Sequence, residues 1–278
     1  MSERVISSTA NSLVKRLRPL FSDAGARRAA GLFPAEGRSL CREAVRAGLA
    51  EELWFTEKNA PFARGLAAKS AAGLTLMSEA VAGRLTDQKA PQGVFALCRF
   101  PQGPLPLAAP PPASCAAGNA EKSGSGRGFA RVVGLFDIAD PINAGAILRT
   151  ALALGYDGAV AAGEAADLFS PRALRAGMGA QLHLPVQRMA GWQTALDAAR
   201  SAGFTAVAAA LTPAAQPLAA ADPRQERLFL VFGNEGAGLD PAAVARCTPV
   251  VIPMHAGLDS LNVAVAAGIF MWHFRKPE

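Results

Sequence analysis

Cysteine, histidine and aromatic side chains are scarce in this chain. Among 278 residues there are four cysteines, three histidines and one tyrosine, and Phe, Trp and Tyr together make up 6%. Cys41, Cys98, Cys115 and Cys247 are scattered, with no CxxC pair, which argues against a disulfide framework or a thiolate metal site. The histidines do not fill that gap. His183 falls in an expected strand, His255 in the IPMHAG loop and His273 near the C-terminus, so no metal is expected and none of the three is taken as a catalytic base. No stretch reaches the ~18–20 uncharged apolar residues of a membrane span. The opening MSERVISSTANS has no apolar core of the kind a secretory signal needs, so a cytoplasmic protein is expected.

What is present is apolar and unevenly charged. The chain is 51% hydrophobic, and its length suits two domains with a core each. Formal net charge is +6. Residues 1–128 carry 17 Lys and Arg against 10 Asp and Glu, whereas residues 129–278 carry 11 against 12. All of the positive excess therefore lies in the first half, as in a phosphate-tracking module beside a near-neutral catalytic domain. A merely soluble basic domain would carry the same charge.

Residues 101–128, PQGPLPLAAPPPASCAAGNAEKSGSGRG, are rich in Pro, Ala, Gly and Ser and read as a flexible linker between domains at 1–100 and 129–278. No internal repeat is evident. In the first domain Ser8 or Thr9 is a candidate N-cap for a basic amphipathic helix. Its stripe is Leu13, Leu17 and Leu20, with Lys15, Arg16 and Arg18 off it, and Arg27 and Arg28 follow. A strand running into a helix over 33–48, a strand at 52–56, a helix near 60–72 and strands at 74–78 and 93–100 complete a small alternating α/β domain. In the second domain strands are expected at 131–137, 158–162, 182–186, 204–209, 228–232 and 249–252. Helices are expected at 143–154, 171–179, 191–202, 240–245 and 260–275. That alternation implies a mostly parallel sheet covered on both faces.

Three segments of the second domain share one design, in which a buried strand breaks at a residue that frees the backbone. LFLVFGNEGAGL (228–239) runs into Gly233, Gly236 and Gly238, with Glu235 between them. VVIPMHAGLDSLNVAV (250–265) breaks at Pro253 and Gly257, then presents Ser260 and Asn262 before an Ala-rich helix. LFDIADPINAGAILRTALALG (135–155) carries Asp140, Asn143 and Arg149. Strand ends that meet Gly-rich loops and helix N-termini are where open α/β sheets bind ligands. The spacing GxxGxG, late in the chain, does not fit the GxGxxG of a dinucleotide-binding domain.

In their order and spacing these segments resemble the three signature motifs of the SpoU family of RNA ribose 2'-O-methyltransferases, within the SPOUT superfamily, over residues 129–278. ISSTANSLVKRLRPL with FPAEGRSLCREAV resembles, more loosely, the ribosomal-protein-like substrate-binding domain common at SpoU N-termini. The resemblance implies a C-terminal α/β domain tied in a trefoil knot, beside a smaller N-terminal α/β RNA-binding domain. It implies S-adenosylmethionine as methyl donor, an RNA substrate and a homodimer formed through the catalytic domain, with the arginine matching Arg149 close to the partner's active site. Gly233, Ile252 and Leu261 would contact the donor largely through main-chain atoms, helped by Ala209, Ala210 and Leu211. By themselves Ile252 and Leu261 read as ordinary core.

Arg149 would hold the target phosphate and orient the ribose hydroxyl, since guanidinium is a very weak base. Asn143 would bond the ribose or a neighbouring loop, or cap its helix. Asp140, before Pro141, shapes the turn. Glu235 would orient Asn143 or Arg149, and Ser260 and Asn262 would line the pocket near the reacting hydroxyl, with Ser260 also a candidate N-cap. Phosphate contacts are expected from Lys15, Arg16, Arg18, Arg27 and Arg28. Arg172 and Arg175 are expected to join them from DLFSPRALRAGMGA (167–180), where Arg172 stands in place of the family's lysine and Met178 in place of a small residue. A base methyltransferase of another SPOUT branch fits the DPxN and SLN motifs poorly. A SPOUT-like RNA-binding or ribosome-assembly protein without catalysis is the alternative, against which the intact polar set argues. The separate N-terminal domain leans the substrate towards ribosomal rather than transfer RNA.

Overall fold

The computed structural model describes residues 3–86, 88, 90–107, 130–255 and 260–275. Most of the expected linker and Gly257 lie outside the described residues. The chain divides into two compact units, Met1–Gln102 with Asp167–His183, and Gly103–Ala166 with Leu184–Glu278.

The first unit is built on β1 (Arg4–Ile6), α1 (Ser12–Ser22), α2 (Ala24–Ala30), β2 (Leu32–Glu36), α3 (Arg38–Arg46), β3 (Ala50–Phe55), α4 (Ala60–Ala67), β4 (Gly73–Met77), α5 (Glu79–Leu85) and β5 (Val94–Arg99). Its five-stranded sheet has the order β1-β4-β3-β5-β2, parallel from β1 to β3 and antiparallel beyond. Strand side chains alternate between faces. Leu53, Phe55, Val94, Ala96 and Cys98 face one core with Leu40 and Ala63. Trp54, Phe95 and Leu97 face another with Val14, Leu17, Leu20, Val81 and Leu85.

Three features depart from the sequence reading. The N-cap of α1 is Asn11, whose Oδ1 accepts from Leu13 N at 2.9 Å, while the Ser8 hydroxyl accepts from Ala10 N in the turn before it. The short elements β1 and α5 had no counterpart among the expected ones. Arg27, expected on the RNA surface, is 2% exposed. Its Nη1 donates to Leu20 O at 2.6 Å, and its Nε and Nη2 hold Asp167 at 2.7 and 2.6 Å. It is a buried structural arginine with its donors engaged.

The second unit comprises β6 (Arg131–Phe136), α6 (Pro141–Ala153), β7 (Gly158–Ala162), β8 (Val186–Met189), α8 (Trp192–Ser201), β9 (Thr205–Ala209), β10 (Gln216–Pro217), β11 (Leu228–Phe232), α9 (Pro241–Val244), β12 (Thr248–Val251) and α10 (Val263–His273). Its seven strands, in the order β10-β12-β9-β11-β6-β7-β8, are all parallel. One face carries α8 and α9 on Val132, Val160, Phe229 and Val231. The other carries α6 and α10, which pack on each other, with Phe270 edge-on to Phe232 at 5.8 Å. Leu107, inside the expected linker, is buried in this core.

Residues 182–186 do not form the expected strand. A 3-10 turn occupies Ala180–Leu182, entered through Gly179 at φ +82°, and pairing starts only after Pro185, which has no N–H to give a ladder. The segment Asp167–His183, with α7 (Pro171–Ala176), packs within the first unit. There Phe169 meets Phe33 and Phe100, Arg175 pairs with Glu36 at 3.3 Å, and His183 lies 2.9 Å from Glu43. Arg175 is thus tied into the fold, while Arg172 is exposed on α7.

Candidate active site

Because β12, β9, β11 and β6 are adjacent and parallel, the loops after Val251, Ala209, Phe232 and Phe136 leave from one edge of the sheet. That carboxyl edge is where such sheets place ligands.

The loop after β11 is closed on itself. Asn234 and Gly238 exchange backbone hydrogen bonds at 3.0 and 2.9 Å, and Gly238 takes φ +72°. A Cβ on Gly233 would sit 2.5 Å from backbone atoms of Gly238 and Leu239, so only glycine fits there. Asn234 organises the turn. Its Oδ1 accepts from Gly236 N and Ala237 N at 2.9 and 3.0 Å, and its Nδ2 donates to Asp137 O at 2.9 Å. The sequence reading passed over Asn234, although an Asn flanked by glycine is a signal for a side-chain-closed turn.

A directed chain of hydrogen bonds joins all three motifs. Asn262 is the N-cap of α10, and its Oδ1 accepts from Ala264 N and Val265 N. Its Nδ2 must therefore donate, and it does so to Asn143 Oδ1 at 3.1 Å. Asn143 Nδ2 then donates to Glu235 Oε1 at 3.1 Å, which also accepts from Asp140 N at 3.3 Å. With the backbone fixing one end, every amide has one orientation and Glu235 has to accept. Burial works against the ionised carboxylate. The bonds from Asn143 and from the backbone of Glu235, Asp140 and Ala139 outweigh it, and Glu235 titrates below its ordinary range. It is a standing anion suited to orienting Asn143 and ill suited to taking a proton. The N-caps differ from expectation: Asp140 caps α6 through Ile142 N, and Asn262, not Ser260, caps α10.

Beside this chain lies a cavity of 560 Å³, within the usual range for a small-molecule site. All six residues expected to touch the donor (Ala209, Ala210, Leu211, Gly233, Ile252 and Leu261) line it, as do Glu235 and Ser260. Thr212 lines it too, with a buried Oγ1 that has no hydrogen-bond partner among the described residues. Among the described lining residues Glu235 alone is ionisable. Arg149 is not in this assembly. It is exposed on α6, six residues past Asn143. Lys15, Arg16, Arg18 and Arg28 are exposed on the first unit.

A parallel α/β sheet with an amide-closed loop and a cavity at its carboxyl edge has the form of a small-molecule-binding domain. The SpoU rRNA Methylase family model matches residues 130–272, and an MRM3-like substrate binding domain matches residues 11–96. The chain belongs to the SpoU rRNA methylase family. It is 29% identical to the 23S rRNA (guanosine(2553)-2'-O)-methyltransferase RlmP of Bacillus subtilis, over 87% of this chain and 88% of that protein. It is 31% identical to an uncharacterized tRNA/rRNA methyltransferase of Synechocystis, over 98% and 94% of the two chains. The crystal structure of an AdoMet-bound rRNA methyltransferase from Sinorhizobium meliloti superposes with a TM-score of 0.81 at 27% identity, over 98% of this chain and 97% of that one.

Proposed function

We propose that this protein transfers a methyl group from S-adenosylmethionine to a ribose 2'-hydroxyl of large-subunit ribosomal RNA. The observation that carries the reading is the hydrogen-bond chain Asn262–Asn143–Glu235, which binds three separate motifs into one rigid border for the cavity. The alternative without catalysis would leave that arrangement a purely architectural role, as a helix cap and loop tie.

The cavity suits the donor on its own chemistry. Its described walls are mostly apolar side chains and loop backbone, with Thr212, Asn234, Glu235 and Ser260 as polar exceptions, which suits an adenine ring and main-chain contacts. The Thr212 hydroxyl, buried and without a hydrogen-bond partner among the described residues, is a polar group that a bound ligand could satisfy. We assign Ala209, Ala210, Leu211, Thr212, Gly233, Ile252 and Leu261 to holding the donor. When bound, S-adenosylmethionine supplies an electrophilic methyl group on a sulfonium. Asn143, Asn262 and Ser260 position the hydroxyl, and Glu235 locks the orientation of Asn143. Among the described lining residues the depressed Glu235 carboxylate alone is ionisable, and we assign the site's action to placement rather than to a strong general base. Arg149 holds the adjacent phosphate by a bidentate contact.

Arg149 lies outside the cavity of its own chain, and this supports the homodimer. Ile142 and Leu152 of α6, and Val265, Ile269 and Trp272 of α10, are exposed large apolar residues on two helices that pack together. Such a patch fits a second copy of the same unit and would bring Arg149 to the partner's site. Lys15, Arg16, Arg18 and Arg28 are assigned to RNA phosphates, as is Arg172.

The test is transfer of label from S-adenosylmethionine to ribosomal RNA and to transfer RNA, both from cells lacking this protein. Label in large-subunit RNA alone is expected. Label in transfer RNA alone would overturn the substrate assignment, and no label in either, despite donor binding, would favour the binding-protein alternative.

A further inference from the structure

A second cavity, of 420 Å³, opens between α1 and α5 of the first unit. Its walls include Thr9, Lys15, Arg18, Pro19, Ser22 and Arg84. Lys15, Arg18 and Ser22 stand at i, i+3 and i+7, hence on one face of α1. The opposite face, with Leu17 and Phe21, is buried. Arg84 comes from the last turn of α5, which Val81 and Leu85 seat against α1. Arg16 is exposed but does not line the cavity.

Charge is what sets this place apart. Elsewhere on the unit, Arg4, Arg64 and Arg99 are paired with Glu52, Glu3 and Glu51, and the exposed Arg28, Arg42 and Arg46 do not line this cavity. Around this cavity three cations stand together, and among the described residues no carboxylate lines it and none of the three makes an ion pair. Pro19, inside the helix, also denies the Lys15 carbonyl its usual donor. A surface that gathers like charges in a hollow, with two hydroxyls beside them, is shaped for an oxyanion. Among the described residues no aromatic side chain lines it, so they offer no platform for stacking a base and suit backbone rather than sequence.

We propose that this cavity seats one backbone phosphodiester of the RNA, with Lys15, Arg18 and Arg84 donating to its non-bridging oxygens and Thr9 and Ser22 completing the shell. The proposal rests on the reading of the chain as an RNA methyltransferase. It adds Arg84 to the contact surface and separates a defined seat from a diffuse basic patch.

The test uses the full-length protein and a large-subunit ribosomal RNA transcript, with binding measured from about 50 to 200 mM salt. Arg84→Ala is expected to weaken binding roughly tenfold at the low end and to make the slope of log K against log salt shallower by about 0.7–0.9, the share of one phosphate. Arg84→Lys should recover part of the loss. Arg18→Ala combined with Arg84→Ala should lose less than the sum of the two, because both serve one anion. Unchanged thermal stability and donor affinity in Arg84→Ala would tie the loss to the seat. Wild-type affinity and slope in Arg84→Ala, beside a loss in Arg16→Ala, would overturn the seat and leave the RNA reading standing. Failure of the wild-type protein to bind the transcript would overturn both. Loss, in Arg84→Ala, of binding to anionic phospholipid vesicles with RNA binding intact would overturn the seat alone.

Discussion

The two units handle polarity in opposite ways. The first carries its charges as separate cations and ion pairs, turning Arg27 and Arg175 inward to Asp167 and Glu36 and standing Lys15, Arg18 and Arg84 outward around a hollow. Among its described residues the second builds its site almost without charge, around two amides, one carboxylate and loop backbone. The difference follows from what each would hold. A phosphate chain is gripped by point charges from a flexible surface, and its hold falls with salt. A small donor and one hydroxyl need fixed geometry, which amides bonded at both ends provide without a large desolvation cost.

The comparison can be broken at its strongest contrast, the neighbours Arg27 and Arg28. Arg27→Ala strands Asp167 in a largely buried setting and is expected to cost about 3–5 kcal/mol of stability. Arg28→Ala should change stability by no more than about 0.5 kcal/mol. Chemical denaturation of the two variants checks this, and equal midpoints would contradict it. On the second unit, Arg149→Ala should lower methyl transfer by about 100- to 1000-fold, with donor affinity and melting temperature near wild type. Near-normal turnover would remove Arg149 from the reaction. Gly233→Ala forces a Cβ into backbone at 2.5 Å and should weaken donor binding by about 10- to 100-fold, read by calorimetry.

The smallest effect is the sharpest on mechanism. The lowered pKa of Glu235 means that its carboxylate stabilises the fold above the ordinary carboxylate pKa, and that this contribution is lost as pH falls through the depressed folded value. Glu235→Gln should therefore be less stable than wild type at neutral pH, with the gap closing in acid. A gap that widened in acid would contradict the standing anion.

The second unit's sheet was legible because strand and helix alternate in apolar runs, and because each motif begins at a strand end. That the six residues expected to touch the donor would share one cavity was legible only through resemblance, since Ile252 and Leu261 look like any core residue until the loops fold. What escaped had no local signal. Arg27 and Arg28 are identical in sequence, and only the partner 140 residues away decides which is buried. The segment 167–183 reads as part of the second domain, yet Phe169, Leu174 and Leu182 find their neighbours in the first unit. The helix α5 has two turns and three buried residues, too few for a periodicity to show, although Ser78 caps it. Asn143 and Asn262 were picked out separately. That they bond to each other follows from α6 and α10 packing side by side, which spacing along the chain does not encode.

The central claim is that the acceptor is a ribose hydroxyl. Methylation there removes the nucleophile that alkali needs to cleave the next phosphodiester, so the chemistry leaves a direct signature. RNA labelled by this protein with S-adenosylmethionine would be digested to completion in alkali and the labelled product sized. The account predicts that the label runs as an alkali-resistant dinucleotide, and label in a mononucleotide would place the methyl group on a base and contradict it.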